Sequence, residues 1–397
     1  MVDERRRLGY CKEKNIHMIK FLRFLLPAML AAVMLLILNS KMPFRVTVHG
    51  IVNGRVIPRL FMSARPGHRR PTAGVINQTT LLSYAAIELG ESKERQLIDR
   101  LLDISRARSI SSCCRVTQRQ KAFQEFHLVL RSWFQNKRFD QRVMTELGEL
   151  VKAPLDFHYN ATGILEIRPG QPYRSCAVVG NSGILLLKTH GPLIDSHEMV
   201  IRLKNARTDG FQDRVGSKTT LAFINSHTLH SCASKPECFC HPYGENIPII
   251  TYICQVLHFM DLAPCNASRK TPLLVTDARF DNLCGRIVKY YSLKNFVETT
   301  GKHPDKWGAA HEGPLFHYSS GMQAVMLALG ICEKVSLFGF GKSPHASHHY
   351  HTSRMSELAL HDYEAEYQFY HDLAAGSQDI PFLSEAGIKL PPLQIYL

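Results

Sequence analysis

Residues 176–220 read CAVVGNSGILLLKTHGPLIDSHEMVIRLKNARTDGFQDRVGSKTT. The first four, 176–179, are a short apolar run with β-branched residues, which predicts a buried strand. The run ends at the small residues 180–183, where backbone amides can approach a nucleotide phosphate closely. An ordinary strand-to-helix turn has the same composition, so these residues alone leave both interpretations open.

Further apolar runs of strand length follow this turn along the chain. They are residues 199–203, 218–224, 247–254, 272–276 and 334–338. Strands that alternate with helical stretches predict an α/β domain with a Rossmann-like, mostly parallel sheet flanked by helices. Ligands of such open sheets bind beyond the carboxyl ends of the strands, where the turn at 180–183 is expected.

The N-terminal part of the chain predicts a membrane anchor. Basic residues precede a run at 21–38 whose single charge is Arg23, about long enough for a helix to cross the hydrocarbon core. Positive charge before the span favours a cytoplasmic N-terminus. A cleaved signal peptide is the alternative, but the apolar run is long and no small-residue cleavage site follows it.

This orientation divides the chain into regions with different expected structures. They are a cytoplasmic tail at 1–20, a transmembrane signal-anchor helix at 21–40, a stem at 41–90 and a lumenal catalytic domain at 91–397. Apolar residues at helical spacing in 91–107 and 121–152 predict a helical subregion at 91–153, before the α/β core at 154–397.

A lumenal location affects how the cysteines and glycosylation motifs are interpreted. Of eleven cysteines, Cys11 would face the cytosol, leaving ten that can all pair in an oxidising lumen. Sequons at Asn77, Asn160 and Asn266 are potential acceptors of N-linked glycans.

The net charge of +14 is also typical of nucleic-acid-binding proteins. The basic residues, however, concentrate in the predicted cytoplasmic tail, at 65–70 and on scattered helix faces. A lumenal domain does not meet nucleic acid, so we expect no nucleic-acid partner. The positive-inside tail and a domain that handles anionic ligands account for the charge instead.

Residues 313–341 read GPLFHYSSGMQAVMLALGICEKVSLFGFG and predict a strong apolar helix after Ser319 or Ser320. Either serine is a natural N-cap. A helix N-terminus presents free amides and the positive end of its dipole to an anion such as a nucleotide phosphate or a sugar carboxylate. Helix capping alone is the other interpretation of these serines.

Histidines are concentrated in one stretch near the C-terminus. They are His345, His348, His349, His351 and His361. No HExxH or Asp-x-Asp motif accompanies them, so we expect no catalytic metal. General acid–base chemistry fits better, because an imidazole can take a proton from a sugar hydroxyl and Glu366, five residues beyond His361, can orient that ring.

Taken together, these pieces resemble the sialyltransferases of glycosyltransferase family 29. The corresponding segments are 176–220 for the large motif, 314–341 for the small motif, His349-Tyr350 for the histidine–tyrosine motif, and His361 to Glu366 for the final His-x4-Glu. All four occur in the family's order, within about the last 220 residues. The resemblance implies a type II Golgi enzyme with the GT-A-variant sialyltransferase fold, which transfers a sugar from a CMP donor by metal-independent inverting displacement.

The resemblance also implies roles for individual residues. His361 is the expected general base, and His349 is expected to stabilise the departing phosphate. The expected contacts to the CMP-sugar are Asn181, Ser182, Ser319, Ser320, Gly321, Gly341 and Tyr350. Cys176 and Cys332 are expected to form the disulfide that joins the large and small motifs. By reducing the entropy of the unfolded chain, this cross-link would stabilise the folded state by about 5 kcal/mol.

The chain departs from the family pattern at the expected donor site. A gap-free alignment from Asn181 places Lys204 at the family's second donor-binding asparagine, whereas a shift of one position would give that role to Asn205, so both are candidate contacts to the CMP-sugar. Arg207 is a further cation, in place of the family's proline. These departures are similar to the plant sialyltransferase-like branch. Such cations would suit the carboxylate of an acidic keto-sugar, either a sialic acid or a Kdo-like sugar.

We therefore expect transfer of a CMP-linked acidic sugar to a glycan acceptor at the Golgi membrane. A non-catalytic Golgi binding or scaffold protein is the second hypothesis, because Lys204 replaces the donor asparagine. A lumenal hydrolase that uses Ser319 or Ser320 with His361 is the third. It is disfavoured because no Gly-x-Ser-x-Gly elbow surrounds either serine.

Overall fold

The computed structural model describes residues 77–87, 100, 128, 130–235, 243–262, 265, 271–311, 316–352 and 361–397. All of them belong to one compact unit at 70–397. The predicted cytoplasmic tail and membrane span, residues 1–40, lie outside the described residues, as does the sequon at Asn266. Among the helices that are described, none combines the length and the apolar character needed to cross a bilayer.

The described chain contains one seven-stranded sheet with the order β5-β4-β3-β2-β1-β6-β7, in which every pairing is parallel. The strands are β1 Cys176–Val179, β2 Met199–Leu203, β3 Leu221–Asn225, β4 Ile249–Tyr252, β5 Leu273–Val275, β6 Val335–Phe338 and β7 Leu393–Tyr396. The predicted parallel sheet is confirmed. Its first six strands overlap the six predicted runs, whereas β7 has no counterpart among them.

The strands at the centre of the sheet are covered on both faces, which explains why they read as continuous apolar runs. In β1, Cys176 and Val178 face the main core, whereas Ala177 and Val179 face a smaller core on the opposite side. All four residues of β1 are buried. The period-two alternation therefore separates two apolar faces rather than an apolar face from a polar one.

Helices cover both faces of this sheet. The α-helices are α1 Gln78–Ala86, α2 Val143–Leu147, α3 Ala153–Thr162, α4 Gly191–Asp195, α5 Gln212–Val215, α6 Ser226–Ala233, α7 Ala278–Thr300, α8 Trp307–Ala310, α9 Ser320–Ile331 and α10 Tyr363–Ala374. Short 3₁₀ segments lie at Gly183–Leu187, Val256–Asp261, Pro304–Lys306 and Ser384–Ala386, and a π-helical turn at Gly148–Lys152 joins α2 to α3. Helix α9 is buried along nearly its whole length and packs against β1, β2, β3 and β6.

The helical subregion predicted at 91–153 differs from the prediction where it is described. Residues 130–135 are helical, but 136–142 are not, so the predicted helix at 121–152 is interrupted before α2. Asp140 accounts for the break, because its carboxylate accepts hydrogen bonds from the backbone and guanidinium of Arg142 and pairs with Arg279. Apart from residue 100, the predicted helix at 91–107 lies outside the described residues.

Part of the predicted stem at 41–90 is folded. Helix α1 begins after Asn77, whose side chain accepts a hydrogen bond from the amide of Thr79. Leu81 and Ala85 of this helix are buried in the main core, where α1 packs against α7. The folded domain therefore begins before residue 91, the predicted boundary.

The strand order reverses between β1 and β6. From β1 the chain proceeds outward to β5 on one side, and it later returns through α9 to β6 on the other side. Such a reversal opens a crevice beyond the carboxyl ends of the two strands, which is where open α/β sheets bind ligands. Gly180 follows β1 and Gly339 follows β6, so the predicted phosphate turn lies at this crevice.

Candidate active site

Three loops meet at the crevice between β1 and β6. Ser182 Oγ donates a hydrogen bond of 2.8 Å to the carbonyl oxygen of Gly341. The amide of Gly183 donates to the carbonyl of Ser347 at 3.0 Å, and that of Tyr350 donates to the carbonyl of Asn181 at 2.9 Å. The end of the small motif and the histidine-rich loop therefore both pack directly on the turn of the large motif.

The glycines of this turn permit close approach between backbone segments. A Cβ atom on Gly180 would lie 2.7 Å from the carbonyl oxygen of Gly339, and one on Gly183 would collide with Ser347. Glycine is therefore required at both positions for the loops to assemble. This requirement exists whether or not a ligand is bound, so these glycines do not by themselves identify a phosphate site.

The side chain of Asn181 supplies a more specific indication of ligand binding. Its Oδ1 atom is buried and has no hydrogen-bond partner among the described residues. A buried amide oxygen without a partner costs free energy that a ligand donor group would recover. Asn181 is the residue for which the sequence resemblance implied a contact to the donor.

Cys176 and Cys332 form a disulfide with a Cα–Cα distance of 6.1 Å, across 156 residues of sequence. Cys176 begins β1, and Cys332 precedes β6 by three residues. The bond therefore lies at the amino edge of the sheet, opposite the crevice, and it stabilises the pairing of the two strands without lining the site.

The other described cysteines are of two kinds. Cys232 and Cys265 are also disulfide-bonded. Cys254 and Cys284 have free thiols. The expectation that all ten lumenal cysteines can pair is therefore wrong for these two, and burial explains why Cys284 persists as a thiol inside the core.

Ser319 is the N-cap of α9, and its hydroxyl accepts a hydrogen bond from the amide of Met322. The hydroxyl of the next residue, Ser320, lies 3.4 Å from the Tyr252 hydroxyl. A Cβ atom on Gly321 would lie 2.9 Å from the ring of Phe340, so this glycine lets the helix approach the loop after β6. The predicted cap is thus present, at the first of the two candidate serines.

An internal carboxylate, Glu366, occupies this helix end. Glu366 accepts hydrogen bonds of 2.6 Å from both the amide and the hydroxyl of Ser319, and one of 3.2 Å from the Tyr370 hydroxyl. A carboxylate at a helix N-terminus interacts favourably with the helix dipole. Sequence analysis predicted that Glu366 orients His361. The hydrogen bonds of Glu366 instead position Ser319 and the start of α9.

The Glu366 carboxyl is fully buried, and this burial raises its pKa to about 7, against the opposing effect of the hydrogen bonds from Ser319. Near neutral pH it therefore exchanges a proton. Because the same group holds the N-cap of α9, its ionisation is coupled to the geometry of the small motif.

His361 lies immediately before α10 and is half-buried. Its Nδ1 atom is 3.1 Å from the carbonyl oxygen of His317. Since a carbonyl oxygen can only accept, Nδ1 carries a proton, and in the neutral ring Nε2 then keeps a lone pair. This tautomer is the one that a general base requires.

The residue after His361 is bonded to the core of the protein. Asp362 caps α10 by accepting from the amide of Ala365, and its other oxygen accepts a 2.5 Å hydrogen bond from Ser292 of α7. The Trp307 indole donates to the same serine hydroxyl. His361 is therefore attached to a buried hydrogen-bond network, although the network was not evident in the sequence.

His349 lies in the loop that packs on Asn181. Its Nδ1 atom is 3.2 Å from Thr352 Oγ1, and its ring stacks on that of His348 with centroids 4.3 Å apart. The Tyr363 ring contacts both His348 and His361, at 5.8 and 5.6 Å respectively. Through Tyr363, the structure brings the two predicted catalytic histidines into one aromatic cluster.

Tyr350 anchors the same loop to the chain after β2. Its hydroxyl donates to the carbonyl of Arg207, and its ring packs on Phe211 with centroids 5.0 Å apart. Burial raises the pKa of Tyr350 to about 12. Tyr350 is therefore neutral at physiological pH, and its position shows a structural contribution to the site.

Lys204 directly follows β2 and has a positive φ of 55°. Its amide donates to the carbonyl of Phe223 at 2.7 Å. Residues other than glycine rarely adopt this conformation, and asparagine is among the exceptions. The backbone at 204 is therefore of the kind that suits asparagine, in agreement with the gap-free alignment, whereas Asn205 is exposed.

Two site residues, His317 and Tyr363, were missed by sequence analysis. The signal for Tyr363 is its place in the final motif, two residues after His361, and the signal for His317 is its place just before the N-cap of α9. No group of three histidine, cysteine or acidic side chains in the described part is arranged to hold a metal ion. The sequons at Asn77 and Asn160 are exposed.

The family model described as glycosyltransferase family 29 (sialyltransferase) matches residues 116–377. The chain belongs to this family of glycosyltransferases. It is 46% identical over 355 residues to beta-1,6-galactosyltransferase GALT29A of Arabidopsis thaliana, covering 82% of this chain and 88% of the relative. The predicted resemblance is confirmed.

Two further relatives carry sialyltransferase names. Sialyltransferase-like protein 1 of Oryza sativa subsp. japonica is 51% identical over 283 residues, which cover 69% of this chain and 68% of the relative. CMP-N-acetylneuraminate-beta-galactosamide-alpha-2,3-sialyltransferase 1 of Sus scrofa is 31% identical over 183 residues, covering 45% of this chain and 47% of the relative. The predicted likeness to plant sialyltransferase-like proteins is thereby confirmed, whereas the names of the relatives differ in the sugar transferred.

Proposed function

We propose that this glycosyltransferase moves a sugar from a nucleotide donor to a glycan hydroxyl by a single inverting displacement, with His361 as the general base. The observation that carries the proposal is the hydrogen bond from His361 Nδ1 to the carbonyl of His317. It fixes the tautomer in which Nε2 can accept a proton from the acceptor.

In this mechanism, Nε2 of His361 takes the proton of the acceptor hydroxyl as its oxygen attacks the anomeric carbon. The bond from that carbon to the donor phosphate breaks on the opposite face, and the phosphate leaves with the electron pair. The amides of residues 181 and 182 and the imidazole of His349 stabilise the charge that develops on the phosphate. The side-chain oxygen of Asn181 accepts a hydrogen bond from the donor nucleotide.

The proposed sugar is galactose. The main support is the 46% identity, over most of both chains, to a relative named as a β-1,6-galactosyltransferase. Because galactose is a neutral hexose, its binding does not require a basic residue that pairs with a sugar carboxylate. The usual activated form of galactose is a nucleoside diphosphate sugar, which places the negative charges of the donor on its phosphates.

An acidic keto-sugar carried by CMP, either a sialic acid or a Kdo-like sugar, is the second candidate. It is favoured by the family description and by the likeness to the porcine sialyltransferase. Lys204 would then hold the sugar carboxylate. Both candidates use the same base and the same inverting displacement.

We propose that the catalytic domain works in the Golgi lumen, held by a type II membrane anchor at 21–40, and that it requires no metal. The disulfide between Cys176 and Cys332 supports an oxidising compartment. Exposure of Asn77 and Asn160 is compatible with N-linked glycans at these sequons.

A donor-hydrolysis screen of the full chain tests this function without knowledge of the acceptor. UDP-galactose, CMP-sialic acid and CMP-Kdo are compared, and we expect UDP-galactose to be turned over fastest. His361→Ala is expected to lower transfer to a glycan acceptor by at least about a hundredfold, because the base is lost, while nucleotide affinity changes little. The matched control is the exposed His345→Ala.

The outcomes separate the hypotheses. Preference for either CMP-sugar would replace galactose as the donor. Absence of turnover together with absence of nucleotide binding in calorimetry would favour a scaffold protein. Normal transfer by His361→Ala would remove this histidine from the mechanism.

A further inference from the structure

Phe157 lies on the outer face of α3, with 79% of its surface exposed, more than any other large apolar residue in the described part of the chain. The opposite face of this helix is buried through Leu155, His158 and Tyr159. The Phe157 ring therefore lacks the favourable free energy that burial of such a side chain contributes.

The neighbours of Phe157 on the outer face leave room above its ring. On a helix, the nearest neighbours on one face are residues three and four positions away. At four positions before and after, Phe157 has Ala153 and Ala161, which are both exposed and too short to cover an aromatic ring. Asn160, three positions after, is exposed as well. A group attached to Asn160 is therefore well placed to cover the ring.

Asn160 is the first residue of the sequon Asn160-Ala161-Thr162. Side chains of an α-helix point back toward its N-terminus, over the preceding turn. A substituent on Asn160 Nδ2 therefore extends over the turn that contains Phe157. In a helix, Cβ atoms three positions apart are separated by about 5–6 Å, a distance that one sugar ring can span.

The first sugar of an N-linked glycan, N-acetylglucosamine, suits an exposed phenyl ring. One face of its pyranose ring consists of C–H groups, and the negative face of an aromatic ring attracts their partly positive hydrogens. The hydroxyl and acetamido groups lie around the edge of the sugar and stay hydrated. Packing the two rings face to face therefore removes apolar surface from water without burying a polar group.

We propose that Asn160 carries an N-linked glycan whose first N-acetylglucosamine packs on the Phe157 ring and stabilises the folded domain. The inference rests on the proposed lumenal location, where a lipid-linked oligosaccharide supplies the sugar. In the transfer, Asn160 Nδ2 loses a proton and bonds to the anomeric carbon, and the lipid diphosphate leaves with the electron pair of the broken bond. The Thr162 hydroxyl donates to the His158 carbonyl at 2.8 Å in the folded helix, so we expect the transfer before α3 forms.

Glycopeptide mass spectrometry of the full chain, produced in a eukaryotic secretory host, tests the modification. We expect a glycan on Asn160 in most molecules. Endoglycosidase trimming that leaves only the first N-acetylglucosamine should not change the stability, because that sugar makes the contact.

A double-mutant cycle tests the packing. Denaturant titrations compare the wild type, Asn160→Gln, Phe157→Ala and the double variant, all from the same host so that the other sequons are treated alike. Asn160→Gln is expected to raise the unfolding equilibrium constant about fivefold, since a contact with an aromatic face contributes a few-fold to about tenfold. In the Phe157→Ala background, which reports the amide change alone, the effect should be less than about twofold.

The matched control is Leu193→Ala, which removes an exposed apolar side chain from α4. In this background Asn160→Gln should keep its fivefold effect, about the same as in the wild type. A coupling that is present with Phe157 and absent with Leu193 supports the contact.

Several outcomes would overturn the inference. An unmodified Asn160 would remove the glycan, and equal effects of Asn160→Gln in the wild type and in Phe157→Ala would remove the packing. A dimer in light scattering that Phe157→Ala dissociates would assign the ring to a second copy of the chain. The proposed function fails separately: a glycan on Asn77 but not on Asn160 keeps the lumenal location, and donor turnover by Asn160→Gln measures catalysis without this glycan.

Discussion

At the scale of single residues, the site depends on groups whose partners are distant in sequence. Glu366 holds Ser319 across 47 residues, and His361 binds the carbonyl of His317 across 44. In both cases a side chain near the start of α10 fixes the segment before α9. The precision of the proposed base and of the small motif therefore comes from the packing of these two helix starts.

The raised pKa of Glu366 predicts a specific pH dependence of stability. Between its ordinary value of 4.5 and about 7, the folded protein keeps a proton that the unfolded chain has lost. The unfolding free energy contributed by this group therefore falls as pH rises through that window and is constant above it. The total loss is about 3 kcal/mol.

Denaturant titrations of the wild type and Glu366→Gln at pH 5, 6, 7 and 8 measure this effect. The glutamine variant should lack the decline, so the difference between the two proteins should change by about 3 kcal/mol across the range. The exposed Glu385→Gln serves as the control and should follow the wild type. Parallel profiles for the wild type and Glu366→Gln would contradict the assignment.

At the scale of elements, the crevice is defined by the close approach of the loops that follow β1 and β6. Gly180 and Gly339 allow this approach because neither carries a side chain. The paired strands fix the backbone on both sides, since Val179 lies opposite Phe338 in the parallel register. The loops cannot separate without a loss of strand pairing.

Gly180→Ala is therefore expected to destabilise the protein by about 1–3 kcal/mol, the usual cost of overpacking. The added Cβ would lie 2.7 Å from the Gly339 carbonyl oxygen, which is backbone and cannot rotate away. Denaturant midpoints compare this variant with Gly308→Ala, where a Cβ would meet nothing within 4 Å. Equal stability of the two variants would show that the loops relax.

The sequence predicted the elements better than their contacts. Strands β1 to β6 can be predicted from the sequence because their burial requires runs of apolar residues. Strand β7 is a short edge strand with exposed Gln394, so it lacks such a run. The partner of Glu366 and the place of His317 depend on how helices far apart in sequence pack. Only the family motifs, which combine such distant residues, predicted that Asn181, Ser319 and His361 belong to one site.

At the scale of the whole molecule, the disulfide and the proposed site lie at opposite edges of the sheet. The disulfide joins the amino ends of β1 and β6, and the crevice lies beyond their carboxyl ends. The stabilising cross-link and the proposed ligand site are therefore separated in space. Loss of the disulfide should lower stability much more than ligand affinity.

The variant Cys176→Ala/Cys332→Ala should lower the unfolding free energy by about 3–5 kcal/mol, because the cross-link closes a loop of 156 residues. Nucleotide affinity, measured by calorimetry where the variant remains folded, should change by less than about threefold. The free and buried Cys284 provides a control, since Cys284→Ala removes a thiol without a cross-link. A large loss of affinity by the folded double variant would show that the two edges are coupled.

The long separation between Cys176 and Cys332 has a consequence for how the protein is made. At ribosomal rates of 5–20 residues per second, the 156 residues between them take roughly 10 to 30 s to synthesise. During that time Cys176 is without its partner, and Cys254 and Cys284, which end as free thiols, are synthesised before Cys332. Biogenesis of the enzyme therefore depends on avoiding premature cross-links, and the crevice between β1 and β6 can assemble only after nearly the whole chain has been translated.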